Sequence, residues 1–257
     1  MTLQYKGINI FYQDDGQGTA LVLLHGFLEN STMWDDFIPE LTKKNRVIRI
    51  DLLGHGQTDC LGYVHAMEIM ADAVHAVIKH LRLRRFFLLG HSLGGYVALA
   101  YSDLYSKDLI GLCLMNSTYE ADSEERIILR KKANKMVRTN YQNVVKSSFS
   151  NLFTQESRKI HKKHFDLAMK EALKTSLRGY IAGQEGMILR KDRFEVLKSL
   201  NCKKLIILGQ HDPVIDADKV IAETENTEIQ TVVFDQGHMA HIENREFFLQ
   251  TLLHFIE

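Results

Sequence analysis

The segment RFFLLGHSLGGYVALAY, residues 85–101, constrains the fold of this chain most strongly. A run typical of a buried strand leads through a glycine-flanked serine directly into a helical apolar pattern. Gly90 and Gly94 lack Cβ atoms, so a strand and a helix can approach closely across a tight turn at Ser92. The pattern G-x-S-x-G between a strand and a helix predicts a nucleophile elbow, a strained turn that presents the serine hydroxyl. A plain turn would use the same glycines, so the role of Ser92 depends on the rest of the chain.

Strand-sized apolar runs alternate with helical segments along most of the sequence. The predicted strands are LQYKGINIFYQ, ALVLL, RVIRI, RFFLL, LIGLCLM, KKLIILG and EIQTVVF, with DDGQG as a turn after the first. The segments HAMEIMADAVHAVIKHL, DADKVIAET and REFFLQTLLHFIE have apolar residues at helical spacing. This alternation predicts an α/β fold with a mostly parallel sheet, covered by helices on both faces, and an antiparallel N-terminal strand.

Residues 118–190 interrupt this rhythm, because they contain no convincing strand and read as several helices. We therefore expect a core formed by residues 1–117 and 191–257, with residues 118–190 inserted as a helical cap. Residues 119–191 contain 16 Lys and Arg against 8 Asp and Glu, whereas the whole chain has 32 of each class. The cap is therefore basic and the remainder acidic. This charge suits either solvated lysine-rich helix faces or an anionic partner, such as an acidic carrier protein.

Net charge, cysteine spacing, the length of apolar runs and the motifs present argue against several classes of protein. The formal net charge of zero argues against a general nucleic-acid binder. Cys60, Cys113 and Cys202 are odd in number and far apart, which favours a reduced, cytoplasmic protein. The N-terminus does not resemble a signal peptide, and the apolar runs are too short to span a membrane. We expect no metal and no cofactor, because the sequence has no HExxH, phosphate-binding or dinucleotide-binding motif.

A serine nucleophile needs a base, and the base needs a group that orients it. Asp212 follows the strand KKLIILG, and His238 follows EIQTVVF. Because the carboxyl ends of parallel strands lie at one edge of a sheet, both residues are expected near Ser92, where ligands bind in such folds. The sequence therefore predicts Ser92 as nucleophile, Asp212 as acid and His238 as base.

Neighbouring residues offer alternatives. Asp216 and Asp218 fit the first turn of a helix, where acids cap and complement the dipole, and Asp235 is a further nearby acid. His241 lies one helical turn beyond the predicted base and could replace it, pack, or contact the cap. His91 and His211 are predicted to pack and to form hydrogen bonds.

Acyl transfer also requires donors for the developing oxyanion. The residue after the nucleophile, Leu93, supplies one main-chain N–H, and the loop after an early strand supplies the second. HGF occupies that place, so Phe27 is the predicted second donor, with His25 and Gly26 shaping the loop. A bare turn is the alternative interpretation of this tripeptide.

Five motifs together carry a family resemblance: HGF (25–27), DLLGHGQTD (51–59), GHSLGG (90–95), GQHDPV (209–214) and GHMAHIENREFF (237–248). They resemble the α/β-hydrolase superfamily over nearly the whole chain, within it the small carboxylesterases, enol-lactonases and pimeloyl-carrier-protein esterases. The resemblance implies an eight-stranded sheet and identifies the helical insert as the lid of that family. Leu53 and Thr58 stand where the family usually has proline and serine.

The resemblance implies a serine hydrolase that cleaves a small to medium carboxylic ester or thioester through an acyl-enzyme. Serine at the elbow excludes the haloalkane dehalogenases and epoxide hydrolases, which use aspartate there. An esterase or thioesterase for acyl groups on an acidic carrier protein or CoA is one alternative. Perhydrolysis, carbon–carbon bond hydrolysis, acyl transfer, and a receptor with little turnover stay open as well. The oligomeric state is not readable from the sequence.

Large apolar side chains of the cap face either the protein core or the acyl pocket of such a hydrolase. Six residues are of this kind: Met136, Tyr141, Phe149, Phe153, Phe165 and Met169. Packing is the expected role of most of them.

Overall fold

The computed structural model describes all residues, 1–257, and is built on one eight-stranded sheet. The strands are β1 (Thr2–Tyr5), β2 (Ile8–Gly16), β3 (Thr19–Leu24), β4 (Asn45–Ile50), β5 (Phe86–His91), β6 (Leu109–Met115), β7 (Lys203–Gly209) and β8 (Gln230–Phe234). Their order is β1-β2-β4-β3-β5-β6-β7-β8. All pairs from β4-β3 to β7-β8 are parallel, while β1-β2 and β2-β4 are antiparallel. The predicted mostly parallel sheet of an α/β fold is confirmed.

The prediction of LQYKGINIFYQ as a single strand is wrong. The segment forms a hairpin, because the chain turns at Lys6 and Gly7, whose φ angles are 47° and 83°. Glycine adopts a positive φ readily, but lysine gives no local signal for it.

The prediction of DDGQG as a turn is also wrong in part, since β2 continues to Gly16. Asp14 and Asp15 lie inside the strand and form ion pairs of 2.6 and 2.7 Å with Arg46 and Arg49 of β4. Cross-strand pairs of opposite charge stabilise these positions in spite of the low strand propensity of aspartate.

Helices cover both faces of the sheet, as predicted. A 3₁₀ helix spans Ser31–Phe37, and the core α-helices are α1 (Ile38–Leu41), α2 (Met67–His80), α3 (Leu93–Tyr105), α9 (Phe194–Ser199), α10 (Ala217–Thr224), α11 (Ala240–Glu243) and α12 (Arg245–Ile256), with α4 to α8 in the insert. Val22 and Leu24 of β3 join the core beneath α2 and α3, while Leu21 and Leu23 join the opposite core against α12. This alternation follows from the two-residue period of a strand.

Six helices lie between β6 and β7, and the five that precede α9 belong to the insert: α4 (Glu124–Met136), α5 (Tyr141–Ser150), α6 (Gln155–Ile160), α7 (Lys162–Ala172) and α8 (Leu177–Ile188). Helix α8 lies against the core, because the His65 N–H donates to Ala182 O at 2.9 Å and a Cβ on Gly179 would clash with Gly54 O. The exact division into core and cap at residues 118 and 190 stays a prediction. No helix combines the length and apolar character needed to cross a membrane.

Candidate active site

Ser92 lies at the sharp turn between β5 and α3. Its φ of 48° and ψ of −111° place it in a region that L-residues rarely adopt. A Cβ on Gly90 would clash with the main chain of Gly94, and a Cβ on Gly94 would lie 2.5 Å from Leu24 O. Because these contacts involve main-chain atoms that cannot move aside, only glycine fits at either position. The strained turn leaves the Ser92 side chain partly exposed at the end of the strand.

The structure brings Ser92, His238 and Asp212 together. Nε2 of His238 lies 3.0 Å from Oγ of Ser92, and Nδ1 of His238 lies 2.8 Å from Oδ2 of Asp212. The carboxylate accepts a hydrogen bond from the Nδ1–H group, which leaves Nε2 free to accept a proton from the hydroxyl. This hydrogen-bonded chain has the geometry that acyl transfer by serine requires.

Asp212 is held as an anion by several donors. The N–H groups of Val214 and Ile215 donate to Oδ1 at 2.7 and 3.1 Å, and Asn116 Nδ2 donates to Oδ2 at 3.1 Å. Burial raises the pKa of this carboxyl, but the charge and hydrogen bond of His238, together with these donors, lower it below its ordinary value. The acid is therefore ionised at neutral pH.

Asn116 was not identified from the sequence, although it directly follows β6 at the same edge of the sheet. Its φ is 44°, and its side chain also donates to Gly237 O at 3.0 Å, next to His238. Asn116 thus joins the loops that carry Asp212 and His238.

Of the two predicted oxyanion donors, Leu93 directly follows the serine and Phe27 lines the same cavity as the serine. Leu93 is the first residue of α3, so its N–H has no acceptor within the helix. The N–H of Phe27 makes no hydrogen bond to another main-chain group. His25 donates from Nδ1 to Gly26 O and accepts at Nε2 from the Leu52 N–H, both at 2.8 Å. Burial lowers the pKa of His25, which keeps this ring neutral and suited to both roles.

A buried ion pair lies behind the predicted base. His91 donates from Nδ1 to Glu29 Oε2 at 2.6 Å and from Nε2 to the main-chain oxygen of His238 at 3.0 Å. Burial lowers the pKa of His91, but the charge of Glu29, its hydrogen bond to His91 and the hydrogen bond to the main chain of His238 together outweigh burial and raise the pKa above its ordinary value. Burial raises the pKa of Glu29, but mainly the charge of His91 lowers it to about 2. His91 is therefore an imidazolium and Glu29 a carboxylate.

His241 lies beside this pair, with Nε2 at 3.4 Å from Oε1 of Glu29. Burial lowers its pKa to about 3, so the ring is neutral. The ligand atoms of Glu29, His91 and His241 lie within 4.8 Å of one another, so this is a group that could hold a metal ion. Here both ring N–H groups of His91 donate hydrogen bonds to oxygen atoms, so the contact between His91 and Glu29 is that of an ion pair. His241 does not contact Ser92, so it does not replace His238 in this geometry.

The three other acids lie outside the hydrogen-bonded chain. Asp216 caps α10, because its Oδ1 accepts from the Lys219 N–H at 3.0 Å, as predicted. Asp218 contacts Gln210 at 3.4 Å on the surface. Asp235 is exposed, 3.9 Å from His211. Asp212 is therefore the acid that contacts His238.

Asp51 organises the loop DLLGHGQTD. Its carboxylate accepts from the N–H groups of Ser31 at 2.7 Å and Gln57 at 2.8 Å. Thr58, one of the two departures from the family motif, accepts from the Phe11 N–H at 2.9 Å. A hydroxyl therefore persists at this position, and the loop is built without the family's proline.

A cavity of about 90 Å³ opens above Ser92 between the core and the helical insert. Its lining combines apolar residues of both parts with two arginines: Phe27, Leu28, His91, Ser92, Tyr96, Arg126, Arg130, Ser148, Leu152, Met187, Val214 and His238. Neither arginine was singled out from the sequence. None of the six large apolar cap residues lines this cavity, since Phe149 and Phe153, for example, are buried in a separate cluster and Met136 is exposed. A cavity of this size fits a small substrate, and its lining offers both apolar and polar contacts.

The chain is similar to one family model, to curated proteins and to solved structures. The family model of the α/β hydrolase fold matches residues 19–245. An uncharacterised protein from Mycobacterium bovis is 34% identical over 39% of this chain, and the match spans 30% of that relative's length. An uncharacterised hydrolase from Bacillus subtilis is 26% identical over 98% of this chain and 95% of its own.

Solved structures are also similar to this chain. A thermophilic esterase from Thermogutta terrifontis, solved with malate bound, is 30% identical with a TM-score of 0.92, covering 99% of this chain and 96% of its own. An enol-lactonase from Burkholderia xenovorans is 20% identical with a TM-score of 0.91 over 100% of this chain and 99% of its own, a likeness that concerns the fold alone. The match of the family model over most of the chain identifies it as a member of the α/β hydrolase fold family.

Proposed function

We propose that this α/β hydrolase cleaves carboxylic esters of small acyl groups through an acyl-enzyme on Ser92. The observation that carries the proposal is the continuous contact from Asp212 through His238 to Ser92 Oγ, with distances of 2.8 and 3.0 Å. The similarity over nearly full length to a protein described as an esterase supports the same reaction class.

In the proposed first step, Oγ of Ser92 attacks the ester carbonyl carbon while its proton moves to Nε2 of His238. The N–H groups of Phe27 and Leu93 then stabilise the oxyanion of the tetrahedral intermediate. His238 returns the proton to the departing alkoxide, which leaves as the alcohol. Asp212 stays ionised and stabilises the imidazolium that forms transiently.

In the second step, water takes the place of the alcohol. His238 accepts a proton from water, the resulting hydroxide attacks the acyl-enzyme, and the carboxylic acid leaves as Ser92 regains its proton. The small cavity of about 90 Å³ favours short acyl groups over long chains.

The test is hydrolysis of p-nitrophenyl esters of increasing acyl length by the wild-type protein, with two serine variants. Ser92→Ala should reduce kcat by about 10⁴-fold or more. Ser102→Ala is the matched control, because Ser102 is buried on α3, the helix that begins after Ser92, and its hydroxyl donates to Ala98 O. Rates should be highest for short acyl chains. Wild-type turnover by the Ser92→Ala protein would overturn the proposed nucleophile, and an absence of multiple turnover would favour the receptor alternative.

The basic charge of the cap favours a second candidate substrate, an acyl group attached to an acidic carrier protein or to CoA. Residues 119–191 carry twice as many basic as acidic residues. Attraction between such a surface and an acidic carrier is screened by salt. kcat/KM for a carrier-linked ester should therefore fall steeply as ionic strength rises, while hydrolysis of a neutral ester should hardly respond.

A further inference from the structure

Two arginines line the cavity at Ser92, and no Asp or Glu side chain lines it with them. Arg126 and Arg130 lie four residues apart on α4, so their side chains point from the same face of the helix. Their placement beside the predicted nucleophile needs a physical reason, because guanidinium groups are costly to bring into a small, partly apolar cavity.

The arginines share one buried carboxylate. Asp122 has a fully buried side chain and accepts from Arg130 Nε at 2.6 Å. It also pairs with Arg190, which lies over the Tyr96 ring with its guanidinium carbon 4.2 Å from the centroid. Arg126 is more remote, with Nε 3.9 Å from the same carboxylate. Three guanidinium groups around one carboxylate leave two positive charges without a carboxylate partner.

Arg126 is the arginine with unused donors. Arg130 is held on both sides, since its Nη1 also donates to Gln184 Oε1 at 2.8 Å. The guanidinium of Arg126 makes one weak hydrogen bond, from Nη1 to Val214 O at 3.3 Å, and the side chain is 37% exposed. Val214 directly contacts Asp212 through its own N–H, so the guanidinium of Arg126 lies beside the loop that carries the acid. A guanidinium with free donors in this place can bind a carboxylate in bidentate fashion.

We propose that the site selects small esters carrying a carboxylate a few atoms from the reacting carbonyl, and that Arg126 binds this carboxylate. The inference rests on the proposed ester hydrolysis at Ser92. Arg130 and Arg190 contribute positive potential but are held by Asp122, so Arg126 determines specificity.

Two matched pairs of substrates test this and distinguish the two sides of the ester. In the first pair, monoethyl succinate carries a carboxylate on the acyl side where ethyl levulinate carries a methyl ketone. Acetoxyacetate and acetoxyacetone differ in the same way on the alcohol side. Hydrolysis is followed at pH 7.5 by titration of released acid, and the readout is the ratio of kcat/KM for the charged ester to that for its ketone analogue.

The wild-type ratio should exceed one in at least one pair, and Arg126→Gln should lower that ratio about tenfold to hundredfold. Arg126→Lys should restore part of it, because lysine keeps the charge but not the bidentate geometry. Lys135→Gln is the control, since this exposed residue of α4 has no ion pair and its ratio should equal that of the wild type.

Two results would overturn the inference: wild-type ratios of one or less in both pairs, or equal losses on charged and ketone esters in Arg126→Gln. The second result would assign Arg126 a structural role in joining α4 to the Val214 loop. The proposed function has a separate test: turnover of the ketone esters by Ser92→Ala would contradict it. Thermal unfolding of each variant checks that the protein is folded.

Discussion

His91 donates its Nε2–H to the main-chain oxygen of His238 at 3.0 Å. The residue directly before the candidate nucleophile therefore holds the main chain of the candidate base. Since His91 is itself fixed by the buried carboxylate of Glu29, the position of the base depends on an ion pair inside the core.

Replacing Glu29 by glutamine should destabilise the protein by about 3 kcal/mol, because it removes one partner of this buried pair. The pKa of Glu29 is depressed from 4.5 to about 2, so its contribution is present above pH 4.5 and is lost as the pH falls towards 2. The pKa of His91 is raised above 6.5, so its contribution is full below 6.5 and is lost as the pH rises through the raised pKa.

The stability difference between wild type and Glu29→Gln should therefore be largest between pH 4.5 and 6.5, as measured by urea unfolding. Glu40→Gln is the control, because its exposed pair with Lys43 contributes less than about 1 kcal/mol. A difference that grows as the pH rises above 6.5 would contradict the assigned charges.

Asp122→Asn should destabilise the protein by about 3–5 kcal/mol, since it leaves Arg130 and Arg190 without their shared buried carboxylate. Asp166→Asn removes an exposed carboxylate paired with Lys162 and should change the free energy of unfolding by less than about 1 kcal/mol. The free energy of unfolding of both variants is measured by chemical denaturation. Equal losses of unfolding free energy in the two variants would show that the buried ion pairs of Asp122 stabilise the protein no more than the exposed pair of Asp166.

Gly94→Ala should destabilise the elbow by more than about 2 kcal/mol, because the new Cβ would lie 2.5 Å from Leu24 O. Gly62→Ala is the comparison, because it introduces backbone strain without a steric clash. Gly62 has a φ of 75° but no atom within 4 Å of the position that a Cβ would take, so the cost should be about 1–2 kcal/mol. A Gly94→Ala protein as stable as Gly62→Ala would contradict the tight packing of the elbow.

Asp212→Asn should lower kcat for p-nitrophenyl acetate by about 10⁴-fold, because asparagine cannot stabilise the imidazolium and favours the wrong tautomer of His238. Asp216→Asn is the matched control, since asparagine also caps helices well and should leave kcat unchanged. A kcat of Asp212→Asn within about tenfold of the wild type would exclude Asp212 from the proposed role.

Much of the fold is readable because its strands are continuous apolar runs. LIGLCLM and KKLIILG match β6 and β7 residue for residue, since strands buried on both faces need apolar side chains throughout. The N-terminal hairpin was missed because the positive φ of Lys6 is imposed by pairing of β1 with β2 and not by a local signal. The strand positions of Asp14 and Asp15 likewise depend on arginines more than 30 residues away.

The site divides in the same way. Ser92, His238 and Asp212 follow predicted strands, and strand ends meet at one edge of a parallel sheet, so their proximity could be predicted. Glu29 and Arg126 could not be placed, because their roles depend on how a loop and a cap helix pack onto that edge.

The most direct test of the proposed chemistry is the state of Ser92 during turnover. Wild-type protein is mixed with p-nitrophenyl acetate, quenched in acid within milliseconds to seconds, digested, and examined by mass spectrometry. We expect one acetyl group on the peptide that contains Ser92, formed in step with a burst of p-nitrophenol and absent from Ser92→Ala. Steady turnover with no acetyl group on that peptide in wild type, or an acetyl group and burst that persist in Ser92→Ala, would contradict an acyl-enzyme on Ser92.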